Sequence, residues 1–178
     1  MPRASSVLRQ FLFSEQKPGI THLSVNPVSW TEPTILERRF RPGLDPDQAT
    51  AIASEFLHED YAYVFEMFWD LWVPDENMLR LSPEQVKFIV HGLAFDGGAY
   101  QQEGHIQVDF GLDEPFLFET PDEDGGAEAR IRNNVQKLVA FTQAVEQNCG
   151  ISGRVLWSES EDEGNLTQKL IARLQRVQ

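Results

Sequence analysis

Between residues 46 and 58 apolar side chains recur every three to four positions, and between 61 and 73 they recur every two. In the first stretch Ala49, Ile52, Ala53, Phe56 and Leu57 form one stripe at helical spacing. Asp45 stands where a cap belongs, Pro46 suits the first helical position, and Gln48 completes a capping box. A helix over about 46–58 is predicted. In the second stretch Tyr61, Tyr63, Phe65, Met67, Trp69, Leu71 and Val73 alternate with a mixed set. That set holds Ala62, Val64, Phe68 and Trp72 beside Glu66 and Asp70. A long strand with a partly covered second face is predicted. "PDEN" (74–77) reads as a turn, "MLRL" (78–81) as a short strand, and "SPEQ" (82–85) as a turn or bulge.

The next segment poses a question of register. Pairing 86–95 antiparallel with 105–114, with Phe95 opposite His105, puts Ala94, Gly92, Val90 and Phe88 against Ile106, Val108, Phe110 and Leu112. The other face then pairs Leu93 with Gln107, His91 with Asp109 and Lys87 with Asp113. Slipping by one residue would mix the two faces. This register sets His91 and His105 roughly 10 Å apart or more, too far to share a metal ion.

Further on, Ile131, Val135, Leu138, Val139, Thr142 and Val145 mark a helix over about 127–148, stopped by Gly150. "RVLWS" (154–158) reads as a short strand. A last helix, capped by Asn165, carries Leu166, Leu170, Ile171, Leu174 and Val177. Residues 1–43 hold five of the ten prolines, so long regular elements are not expected there, although 21–25 and 34–40 have strand character. The expected fold is α+β. One single domain over 1–178 would hold a largely antiparallel sheet of about 5–7 strands and three helices packed mainly on one face. Residues 1–43 would form an irregular, proline-rich segment packed on it. A crossover through helix 127–148 would make strand 154–158 parallel to strand 105–113.

Charge alters the functional picture more than hydropathy does. Fifteen basic against 28 acidic side chains give a net charge of −13, which disfavours nucleic acid and anionic membranes as partners. No 18-residue apolar run predicts a membrane span, and the first residues make a poor signal peptide. With a single cysteine, Cys149, these features lead us to expect a cytoplasmic protein. Cys149 reads as a buried structural thiol. No nucleotide, zinc, hydrolase or kinase motif occurs, and no cofactor or metal is implied.

Two functional classes remain. The first is protein–protein binding of an immunity, inhibitor, chaperone or adaptor type. A basic partner surface would then meet two acidic loops, Asp122, Glu123 and Asp124, and Glu159, Glu161, Asp162 and Glu163. Trp72, on the mixed strand face, would be an exposed aromatic contact. The second is a small-ligand site or enzyme on the polar sheet face, using His91, His105 and Asp109 with Glu66 and Asp70. A pocket lined by such groups and walled by aromatics would favour the second class.

Overall fold

The structure is a computed structural model that describes residues 1–76, 78–119, 125–158 and 163–175. Its elements are α1 (Pro2–Leu8), β1 (Ile20–Pro27), β2 (Leu36–Leu44), α2 (Pro46–Ser54), β3 (Tyr61–Asp75) and β4 (Met78–His91). After a helical turn at Phe95–Gly97 come α3 (Ala99–Gln102), β5 (Ile106–Asp109), α4 (Glu114–Leu117), α5 (Gly125–Asn148) and α6 (Glu163–Gln175). The protein is therefore α+β, with one five-stranded antiparallel sheet in the order β2-β1-β3-β4-β5. The three expected helices correspond to α2, α5 and α6. Three further helices have only four to seven residues, too short for a periodic signal.

The chain divides into two compact units, Met1–Asp70 with Pro83–Gly111, and Leu71–Ser82 with Leu112–Gln178. In the first unit Leu23, Val25, Phe65, Met67, Trp69, Phe88 and Val90 are buried. These are the odd-numbered positions of β3 and the matching faces of its neighbours. Asp45 caps α2 as expected, its carboxylate accepting from the Asp47 and Gln48 amides at 2.9 Å. Asp47 ties α2 to α1, accepting from the Ser5 hydroxyl at 2.6 Å and from the Arg9 guanidinium at 2.5 Å. The Ser5 hydrogen bond and then Arg9 hold the Asp47 carboxyl below its ordinary pKa. The proline-rich N-terminal segment thus contains one short helix and two strands. β1 and β2 take up the stretches with strand character.

In the second unit Leu79, Ala127 and Ile131 form a buried cluster, with Trp72 and Phe118 packed against it. Asn134 is fully buried among them. Its Oδ1 accepts from the Trp72 amide at 3.0 Å, and its Nδ2 donates to Trp72 O and Pro115 O, each at 2.7 Å. Arg173, also buried, donates to Phe118 O at 2.7 Å and lies 3.6 Å from Glu128. The α5 stripe follows the sequence pattern, with Ile131, Val135, Leu138 and Val145 buried. Cys149 is buried too, and that burial pushes its thiol pKa up.

Four expectations need correction. β4 runs unbroken from Met78 to His91, where a short strand and a turn were expected. β5 pairs only with 87–90, so Pro83 lies beyond it, at a position where a missing amide breaks no ladder bond on that side. The register of β4 with β5 differs as well: Val90 faces Ile106, Phe88 faces Val108 and Lys87 faces Asp109. Each β4 residue meets a β5 residue four positions earlier than expected. An even shift keeps the faces and changes the partners. Residues 154–158 form no strand, and Val155 and Trp157 are 71% and 60% exposed. Alternation describes side chains, whereas a strand also needs a ladder to join. The parallel crossover therefore does not form. Finally, Trp72 is half-buried against Leu79 and Ile131, with the Arg130 guanidinium 4.7 Å above its ring.

Candidate functional site

Because β4 and β5 pair in the observed register, His91 and His105 are opposite one another. The His91 amide donates to His105 O at 2.9 Å. His91 and His105 border an open cavity of about 510 Å³ in the first unit, with the His91 ring itself buried. Its apolar walls are Leu57, Val90 and Leu93 with the Tyr63 and Tyr100 rings, and His58 and Glu59 complete the rim. That volume lies within the range of sites that hold small organic molecules.

Each wall has an identifiable support. The Tyr63 hydroxyl accepts from the His58 amide at 2.8 Å and donates to Phe56 O at 2.9 Å. This pins the chain between α2 and β3. Burial pushes the Tyr63 pKa up, so the phenol stays protonated and keeps donating. His58 is bonded to the Asp60 carboxylate and lies over the Tyr61 ring. Gly92 permits the close approach of two backbones. Its amide donates to Tyr61 O at 2.8 Å, and the Ala94 amide donates to Glu59 O at 2.8 Å. Phe95 is fully buried in a cluster with Ala62 and Ala99. Trp30 packs edge-on against both Phe95 and His91, at 4.9 and 6.1 Å. The turn that delivers Trp30 contains Val28 at φ 60°, a costly conformation for a β-branched residue. Two backbone bonds hold it there, from its amide to Asp60 O and from the Asp96 amide to its carbonyl.

His91 is the distinctive group. Its side chain is wholly buried, yet only one ring nitrogen is satisfied. Nδ1 lies 2.9 Å from Gly104 O. A carbonyl only accepts, so Nδ1 carries the proton. In the neutral ring Nε2 is then a bare acceptor, and it makes no hydrogen bond. The Glu103 carboxylate lies 3.8 Å from it, beyond hydrogen-bonding distance. His105 Nδ1 is likewise buried without a hydrogen-bond partner. Burial, and then the Arg3 guanidinium, lower the His105 pKa from its ordinary 6.5. The site thus pairs an imidazole whose Nδ1 is fixed by a backbone carbonyl with a second one, His105, whose neutral form is favoured by burial.

The lowered His105 pKa gives stability a pH dependence with a definite sign. The unfolded chain takes up this proton near pH 6.5, before the folded chain does. The His105 contribution is therefore fully present above pH 6.5 and is lost as the pH falls through the folded-state value. In His105→Gln the fall in melting temperature from pH 7 to pH 5 should be smaller than in the wild type. Parallel curves for the two proteins would show that His105 does not titrate differently on folding.

The other candidate residues lie apart from this cavity. Glu66 faces His22, at 3.3 Å, and His22 is 3.3 Å from Glu37 on its other side. Asp70 accepts from the Glu15 amide at 3.0 Å. Asp109 stands opposite Lys87 and accepts from the Gly111 amide at 2.8 Å. Of the five polar-face residues, only His91 and His105 come together. Contrary to the sequence reading, His91 is buried rather than on an exposed face. Asp122, Glu123, Asp124, Glu159, Glu161 and Asp162 lie outside the described residues, as does the side chain of Glu163. Tyr63, Tyr100 and Gly92 were not singled out from sequence. Tyr63 had the signature of a core aromatic and Tyr100 that of a loop residue, and only the three-dimensional path of 92–105 gives them a site. Among the described residues no three His, Cys, Asp or Glu side chains are placed to hold a metal ion, and no helix is long and apolar enough to cross a membrane. Set against protein-family models, curated proteins and solved structures, the chain matches none.

Proposed function

We propose that the protein binds a small organic ligand in the cavity bounded by Leu57–Glu59, Tyr63 of β3, the end of β4 with Leu93, and Tyr100 and His105. The ligand has a largely apolar body and at least one N–H or O–H group, which it donates to His91 Nε2. The observation that carries this reading is the buried, unsatisfied Nε2 of a residue that borders the cavity, which a ligand reaches once the side chains covering it move aside. A buried polar atom without a partner costs about 1–3 kcal/mol. A donor on the ligand removes that cost at the moment of binding, while the tyrosines and leucines accept its apolar part. Fixing Nδ1 on a backbone carbonyl sets the tautomer in advance, so Nε2 serves as the acceptor once it is uncovered.

A thermal-shift screen with phenols, indoles and primary amides tests this. A ligand present at one hundred times its Kd should stabilise the fold by about 2.7 kcal/mol. His91→Leu roughly keeps the volume but removes the acceptor. It should weaken such a ligand about tenfold or more, since one buried hydrogen bond is at stake. Stability should change little, because the lost bond to Gly104 is offset by removal of the unsatisfied nitrogen. If every stabilising compound binds His91→Leu as well as the wild type, this reading is wrong.

A further inference from the structure

We propose that the outer edge of β2 takes an acidic, extended segment of a partner protein as a sixth strand. This is a different surface from the cavity and does not depend on it. Among the described residues β2 terminates the sheet beside β1, pairing regularly over Leu36–Arg39 before a register shift towards Leu44. In an antiparallel ladder alternate residues direct their N–H and C=O groups away from the paired strand. Such a row is a template for strand addition, and proteins commonly blunt it with charge. The sign of the charge on β2 is the informative feature. Arg38, Arg39 and Arg41 place three of the chain's 15 basic residues within four positions, in a protein of net charge −13. All three are exposed. Arg39 has the Glu37 carboxylate 3.9 Å away, whereas Arg38 and Arg41 form no ion pair among the described residues.

Guarding an edge needs charge of either sign, and carboxylates would match the rest of this surface. Arginines instead repel basic strands and attract acidic ones. Arg38 shares a face with the half-buried Leu36, Arg39 lies on the other with Glu37, and Arg41 follows in the stretch of the register shift. An incoming strand therefore meets cations on both faces. That favours acidic residues at consecutive positions, flanked by an apolar side chain that can rest on Leu36.

The test uses the intact protein and a fluorescent eight-residue peptide of valine and threonine with three central glutamates. A lysine counterpart and a version N-methylated at alternate amides serve as comparisons. The acidic peptide should bind saturably, and more weakly as salt rises, because exposed charges are screened. The lysine peptide should not bind. N-methylation, which removes ladder donors from the peptide, should weaken binding at least tenfold. So should the combined change Arg38→Glu, Arg39→Glu and Arg41→Glu. Absence of saturable binding overturns the proposal. Binding indifferent to N-methylation also overturns it, since attraction by charge alone is not strand addition. Self-association through β2 that the peptide does not displace would assign the edge to a second copy and equally overturn it. The methylated peptide needs no protein variant, so the proposal stays testable if the triple variant fails to fold.

Discussion

Asn134→Ala is expected to lower the unfolding free energy by about 3 kcal/mol, among the largest effects of any single polar truncation in this chain. The side chain is fully buried on α5 and makes three hydrogen bonds of 2.7–3.0 Å. Two go to the Trp72 backbone and one to Pro115 O. They join the helix to β3 and to the turn of α4. Truncation leaves an amide and two carbonyls without those bonds, and each costs about 1–3 kcal/mol if it stays dry. Asn134→Asp should be at least as damaging, because a carboxylate beside two carbonyls loses both donors and adds repulsion. Denaturant unfolding followed by tryptophan fluorescence measures the loss, and amide exchange at Trp72 should accelerate with it. A loss under 1 kcal/mol would mean that water readily replaces the side chain.

How much of this could be read from sequence depends on what each pattern encodes. The period-two run from Tyr61 and the cap at Asp45 are local signals, and β3 and α2 follow them. The α5 stripe is local too, and a buried polar residue beside it carries information. Asn134 lies three residues after Ile131, on the buried side of the helix, where an amide is tolerated only when its hydrogen bonds are satisfied. The β4–β5 pairing shows where local information ends. Alternation determines which face each residue takes, and Phe88, Val90, Ile106 and Val108 do share a face. It is silent on even shifts. Those are decided by how many residues the connection uses, and here the Phe95–Gly97 turn and α3 use them up. Phe95 leaves the strand to pack on Ala62 and Ala99, and the shift brings His91 opposite His105. The candidate site was therefore legible in its residue types and illegible in its geometry. Segment 154–158 illustrates the converse. Its side chains suit a strand, but whether a strand forms depends on a free ladder, which no pattern within the segment records.

The connection that unites the histidines also makes the site fragile at one position. Gly92→Ala is expected to destabilise the fold by about 3 kcal/mol and to abolish ligand binding together with stability. A Cβ at residue 92 would lie 2.3 Å from Glu59 O and 2.7 Å from both Glu59 C and Tyr61 O. These are backbone atoms, so no rotamer change relieves the clash. The 59–61 chain must move away from 92–94, which breaks the bonds from the Gly92 and Ala94 amides to Tyr61 O and Glu59 O. That movement displaces His58 and Glu59, which form one rim of the cavity, and disturbs the pinning of Tyr63. Gly153→Ala is the control, because nothing lies within 4 Å of its added Cβ. It should change stability by no more than about 0.5 kcal/mol. The comparison with His91→Leu separates the two roles of this strand end. His91→Leu should reduce affinity with stability nearly intact, whereas Gly92→Ala should reduce both. A stable Gly92→Ala that still binds would show that the backbones at 59–61 and 92–94 separate without cost, and that the cavity owes its shape to the side chains alone.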